Sequence, residues 1–240
     1  MATFNQSEFE IRCEWGRHGL EEIAPISEIV VVVDVLSFST AVDIATSRGA
    51  IVFPYPFKND SAAAYADSVG ANLASGKRGV GFSLSPDSLR SIPEGHKLVL
   101  PSPNGSALCF SAQCPYVLTP CLRNARAAAE AARRIGATIA VIPAGETWDD
   151  GSLRPSIEDL IGAGSVIAGL PGRRSPEAEL AVAAFERFAH DLPAALRSCA
   201  SGKELIERGF AADVDLAAEL NVSGNVPVLK DGAFVSMKQL

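Results

Sequence analysis

The chain has 240 residues, 48% hydrophobic and 20% charged, with a formal net charge of −7. That is enough apolar material for one large α/β domain or two small ones. The acidic balance argues against a nucleic acid or an anionic membrane as partner. The opening MATFNQSEFE is too polar and acidic for a signal peptide, and no apolar run approaches the roughly 18 residues of a membrane span. Five cysteines without a C-x-x-C pair read as reduced thiols in a cytoplasmic protein. The composition is equally compatible with a homo-oligomer.

In chain order, residues 9–15 are a short strand ended by Gly16 and Gly19. Residues 29–33, IVVVV, are five consecutive β-branched residues, apolar on both faces, as suits a strand buried in a parallel sheet. The run ends on Asp34, and Ser37, Ser39 and Thr40 follow where a helix over 41–48 begins, with Gly49 to stop it. A strand at 51–55, a helix over 60–69 and a glycine- and serine-rich loop at 75–86 come next. The strand at 97–100 leads into Pro101-Ser102-Pro103-Asn104-Gly105-Ser106 and a helix or turn at 107–111. Then come a strand at 116–118, a helix over 124–135 and a strand at 138–142. The last breaks at Pro143-Ala144-Gly145-Glu146, before a loop at 147–155. Helices are expected at 156–168, 176–197 and 203–208. Strands alternating with helices predict an α/β fold, a largely parallel sheet flanked by helices, with a helix-rich C-terminal part.

Three strand ends carry polar chemistry: Asp34 to Thr40, Asn104 to Ser106, and Glu146 with the acids beyond it. In a parallel sheet all three open on one edge, where α/β proteins bind ligands and helix N-termini offer amides to anions. Each has a plainer reading. Asp34 and Ser39 can be helix caps, Asn-Gly is a common turn pair, and Ser156-x-x-Asp159 resembles a capping box. Asp149, Asp150, Glu158 and Asp159 are acidic enough to hold a hard cation. There is no C-x5-R loop, no D-x-D at Asp34 and no P-loop, which excludes three familiar phosphoryl-transfer chemistries. Arg17-His18-Gly19 matches the tripeptide of histidine phosphatases without the strand that should precede it.

The blocks VVVDVLSFSTAV (31–42), GVGFSLSPDSL (79–89), PSPNGSAL (101–108), IPAGE (142–146) and SIEDLIGAGSVI (156–167) stand in the order and spacing of the 2-phosphosulfolactate phosphatase family. DVDLAAELNVSGNVPVL (213–229) resembles that family's C-terminal segment. The resemblance implies a single domain over 1–240, with residues from about 156 as a covering layer or a semi-independent helical lobe. It implies a Mg²⁺-dependent acid phosphatase that converts 2-phospho-3-sulfolactate to 3-sulfolactate, in coenzyme M biosynthesis. Two positions depart from it. Ser37 stands where the family usually has Arg, and Lys77 precedes Arg78-Gly79 where it tends to have an acid. Lys77 or Arg78 is then the candidate to replace the missing positive charge.

On this reading Asp34, with Glu158 or Asp159, holds Mg²⁺. Ser39, Thr40, Asn104, Gly105 and Ser106 cradle the phosphate, and Glu146 is a general base or second metal ligand. Arg78, or less readily Arg123, holds the sulfonate or carboxylate. Two alternatives stay open: a histidine phosphatase using His18, and a non-catalytic binder of small anionic metabolites.

Overall fold

The alternation of strand and helix is present through residues 4–239, the part of the chain described in the computed structural model. The first three residues of the polar opening stretch, and Leu240, lie outside it. The first half runs β1 (Ile11–Cys13), α1 (Gly16–Ile23), β2 (Ile29–Val33), α2 (Phe38–Ser47), β3 (Ile51–Tyr55), α3 (Asp60–Val69), β4 (Asn72–Leu73), β5 (Lys97–Pro101), α4 (Gly105–Ser111) and β6 (Tyr116–Leu118). The second half runs α5 (Ala125–Ile135), β7 (Ile139–Pro143), the short pair β8 (Glu146–Thr147) and β9 (Leu153–Arg154), α6 (Ile157–Ile167) and α7 (Pro176–Phe188). It continues with α8 (Leu192–Ser198), α9 (Ala200–Glu207), α10 (Ala211–Ala217), β10 (Pro227–Lys230) and β11 (Ala233–Ser236).

Nine strands form one sheet in the order β1-β7-β2-β6-β10-β11-β3-β5-β4. The four strands β1, β7, β2 and β6 are parallel, and so are β3, β5 and β4. Between these blocks lies the hairpin β10–β11, antiparallel within itself and to β6 and β3 on either side. Three successive reversals turn the second block against the first. The fold is the expected α/β class, but the three strand ends do not open on one edge of a uniformly parallel sheet. β2 and β7 share an edge, and β5 runs the other way. Twist accounts for the ends still meeting. β2 and β5 are five steps apart in the sheet, and about 20–25° per step accumulates to roughly 100–125°. Consistent with such a twist, α4, which follows β5, packs against β2.

β2 is buried on both faces, as its composition requires. Ile29, Val31 and Val33 pack into one core with Ala129, Val166, Leu196 and Val214 from the later helices. Val30 and Val32 pack into the other with Phe38, Ala41, Leu100, Leu108 and Phe234. This is the two-residue period of a strand, and each buried side chain contributes about 1.5–3 kcal/mol. α6 lies so close to α7 that a Cβ at Gly164 would sit 1.9 Å from the Ala181 carbonyl oxygen.

Two local expectations are corrected. Gly16 and Gly19 do not end a strand but belong to α1, whose buried face, Gly16, Gly19, Leu20 and Ile23, has helical spacing. The helix expected over 176–197 is two helices, because Asp191 caps a new one with Pro193 in its first turn. The C-terminal hairpin was not anticipated, although its turn residues Asp231 and Gly232 both have positive φ, 50° and 80°, as an Asp-Gly hairpin turn requires.

Candidate active site

Asp34 leaves β2 into a tight return, where its N–H donates to Ser39 Oγ (2.9 Å) and its carbonyl accepts from Ser39 N–H (2.8 Å). Its carboxylate, 5% exposed, accepts from Phe38 N–H at Oδ1 (3.2 Å) and from Gly105 N–H at Oδ2 (2.9 Å). The N-cap position of α2 is Ser37, and Asp34 instead takes the first N–H of that helix from three residues further back. Asp34 also lines a cavity of about 360 Å³. Asn104, next to Gly105, lines that cavity too and donates from Nδ2 to Glu146 Oε2 at 2.7 Å. The dipeptide Asn104-Gly105 therefore ties two acids from distant strand ends to one cavity wall.

The cavity holds both signs of charge. Asp34, Glu146 and Glu204 face Lys58, Arg78 and Arg208. Arg208 pairs with Glu204 at 2.9 Å, and Arg78 pairs with the buried Asp213 at 2.7 Å. Lys58 has no contact ion pair among the described residues, although the Asp34 and Glu146 charges act on it from further off. Arg78 also donates from Nη2 to Ser37 Oγ at 2.9 Å. Its guanidinium thus stands at the very residue where the resemblance leads one to expect an arginine. Lys58, Glu204, Arg208 and Asp213 carried no sequence signal as site residues, because only the fold brings them together.

The acids are electrically coupled. Burial raises the Asp34 carboxyl above its usual range against the Gly105 and Phe38 amides, and the Glu158 charge adds to the rise. Burial and the Asp34 charge push Glu146 up to about 7. Asp159, raised well above the usual range by burial and by Asp34 and Glu158, does not line the cavity. Its Oδ1 accepts from Val35 N–H (2.7 Å) and its Oδ2 from Gly145 N–H (2.9 Å). It is a strut between the Asp34 and Glu146 loops. Glu158 is buried behind Asp34, beside the Cys199 thiol, and does not line the cavity. Among the described residues no three His, Cys, Asp or Glu side chains gather as a metal cage.

Ser39, Thr40 and Ser106 are fully buried and do not line the cavity. Ser39 Oγ is shared with Thr119 Oγ1 (2.8 Å), and Thr40 Oγ1 donates to the Val35 carbonyl (2.8 Å). Ser106 Oγ donates to the carbonyls of Tyr55 (3.0 Å) and Leu100 (3.1 Å). These hydroxyls secure the strand ends, as buried polar groups must. Arg123 is bound to Asp43 (3.1 Å) and to Glu219, away from the cavity. His18 on α1 is fully exposed and not part of the cavity lining.

Gly105 is where backbone and acid meet. A Cβ there would lie 2.7 Å from both Cβ and Oδ2 of Asp34 and 2.8 Å from the Phe38 ring. Gly105→Ala is therefore expected to displace the Asp34 carboxylate and lower kcat about 100-fold in a folded protein, the cost of a displacement of about 1 Å. Steady-state kinetics alongside circular dichroism check this, and undiminished kcat would show that Asp34 need not touch Gly105.

The fold and cavity define an α/β protein with a mixed-charge site for a small anionic ligand, built where strands end. Residues 18–232 match the family described as 2-phosphosulpholactate phosphatase. The chain is 32% identical over 219 residues to the 2-phosphosulfolactate phosphatase of Methanothermobacter thermautotrophicus, covering 89% of this chain and 92% of that protein. It is 31% identical to a protein of Thermus thermophilus, over 85% of this chain and 88% of that one. The figure for one from Carboxydothermus hydrogenoformans is 29%, over 86% and 89%. Both of these are named probable 2-phosphosulfolactate phosphatase. The chain belongs to the 2-phosphosulfolactate phosphatase family, whose name denotes a phosphoric monoester hydrolase. No helix among the described residues is long and apolar enough to cross a membrane.

Proposed function

We propose that this protein hydrolyses 2-phospho-3-sulfolactate, or a closely similar phosphorylated organic acid, to the hydroxy acid and phosphate with the help of Mg²⁺. The observation that carries this is the pair Asp34 and Glu146, held to one cavity by Asn104-Gly105 beside the unpaired Lys58 and the fork of Arg78. A substrate with several negative groups would meet Lys58, Arg78 and Arg208 there, of which Lys58 has no contact ion pair among the described residues.

The donor set fits Mg²⁺ of the kind that keeps several waters and binds through one or two carboxylates and substrate phosphate, rather than one caged by protein. Asp34 is the residue that would hold it, with the buried charge of Glu158 and Asp159 behind adding to the field. When bound, the ion supplies Lewis-acid polarisation of a phosphoryl oxygen. Everything else falls to the chain. Lys58 attracts the anion, and Arg78 and Ser37 orient it by hydrogen bonds. Glu146, with its carboxyl near 7, holds a proton at Oε1 or Oε2 around neutral pH. Phosphoryl transfer is largely dissociative and leaves charge on the departing oxygen, so that proton is best used there, as general acid. We place the reaction in coenzyme M biosynthesis and the protein in the cytoplasm, a reducing medium suited to its five unpaired thiols.

The test is phosphate release from 2-phospho-3-sulfolactate during a Mg²⁺ titration after chelation. Turnover that saturates with Mg²⁺ is expected. Full turnover in chelator would remove the metal from the scheme, and saturable binding with no phosphate released would replace the enzyme with a binder of small anions.

A further inference from the structure

Asp213 lies on α10, outside the cavity lining, with its side chain 1% exposed. Its Oδ2 accepts from Arg78 Nη1 (2.7 Å), and its Oδ1 accepts from Ser85 Oγ (2.6 Å) and Asp87 N–H (3.1 Å). All three donors belong to the segment 78–87, which has little regular structure of its own. One buried carboxylate from the C-terminal helices thus organises that loop. Arg78 is fixed further by Ser37 Oγ and by the Phe210 ring, 5.7 Å from its Cζ. A guanidinium has five N–H donors in a rigid fork. Two are accounted for here, and the other three have no partner among the described residues, although the side chain is only 11% exposed and lines the cavity. Asp213 also cancels the charge of Arg78, so what Arg78 offers is directed hydrogen bonding rather than net attraction.

We propose that Asp213 is a positioning residue that aims the free Arg78 donors at a substrate acid group other than the reacting phosphate, and so sets preference for doubly acidic phosphoesters. This rests on the phosphatase reading of the cavity. Arg78 hydrogen-bonds neither Asp34 nor Glu146, so its remaining donors are not taken up by the acids assigned to the reaction. Directed bonds from an ionised donor to an acid group weaken sharply when the fork turns.

Asp213→Asn in the full chain tests this with two esters, 2-phospho-3-sulfolactate and p-nitrophenyl phosphate, which has no second acid group. The expected result is a KM about 10–30-fold higher for the first, the loss of about one charge-assisted bond, with kcat within about threefold and KM for the second within about twofold. In an Arg78→Ala background the same substitution should change KM by less than about twofold, because Asp213 acts through Arg78. Equal KM rises for both esters, no rise at all, or a full further rise without Arg78 would each overturn the proposal. Asp213→Glu keeps the ion pair but moves the carboxylate by about one carbon–carbon bond. It carries the same expectation and refutation if Asp213→Asn does not fold. Wild-type protein that turns over neither ester refutes the phosphatase reading instead. Calorimetric titration with 3-sulfolactate then still reads the Arg78 donors: affinity about tenfold weaker in the Asp213 variant supports the proposal, and unchanged affinity overturns it.

Discussion

Asp34→Asn is expected to lower kcat at least about 1,000-fold on any phosphomonoester, with or without added Mg²⁺. The carboxylate accepts two amide N–H groups, from Phe38 and Gly105, and still faces the cavity. An asparagine has the same shape but one carbonyl oxygen, so its NH2 must oppose one of those donors. That mismatch costs about 1–3 kcal/mol of stability. Loss of the charge removes the group best placed to hold a cation. Burial already raises the Asp34 carboxyl, so its acid form competes as pH falls. Wild-type activity should therefore decline at low pH. Phosphate release by purified Asp34→Asn within tenfold of wild type would remove Asp34 from the chemistry and leave it as an acceptor for the Phe38 and Gly105 amides.

Glu146→Gln separates two roles by choice of leaving group. As general acid, Glu146 must protonate the oxygen of an alkyl ester, and its loss should cost about 100–1,000-fold in kcat on 2-phospho-3-sulfolactate. On p-nitrophenyl phosphate, whose leaving group needs no proton, the loss should stay under about tenfold. Equal losses on both esters would return Glu146 to the role of general base or metal ligand. Activity on the alkyl ester should fall as pH rises through about 7, where Glu146 gives up its proton.

The same residue predicts a stability effect of opposite sign. Its carboxyl is raised from 4.5 to about 7, so the folded state binds the proton more tightly than the unfolded one. The stability from this is fully present below pH 4.5 and is lost as pH rises to about 7. Glutamine keeps the Asn104 bond without an ionisable group. Glu146→Gln in metal-free buffer should then be more stable at pH 8 by about 2–3 kcal/mol, or about 5 °C in Tm, and little changed at pH 4. No difference at pH 8 would mean that Glu146 is not raised. Gain of stability with loss of function is the usual cost of a site built from buried like charges.

Features that depend on nearest neighbours in sequence were legible without a structure. The β-branched run of β2, the alanine-rich α3 and α5, and Asp34 at a strand end all follow from local propensity and two- or 3.6-residue periods. The six sequence blocks pointed to the family for the same reason, since they are contiguous words. Asp231-Gly232 forms the turn of the C-terminal hairpin, but no local rule says where a hairpin inserts. By entering between β6 and β3 it turned the block β3, β5 and β4 against the first. The hydroxyls of Ser39, Thr40 and Ser106 looked like phosphate ligands because type and position were all the sequence carried; their orientation toward backbone carbonyls and Thr119 was decided by burial. The bonds that build the cavity span long separations, 71 residues from Asp34 to Gly105 and 135 from Arg78 to Asp213. The sequence by itself determined which acids, amides and cations exist and which strand ends carry them. Only tertiary structure decided which of them meet, because contacts between residues so far apart depend on sheet order and twist, which no window along the chain contains.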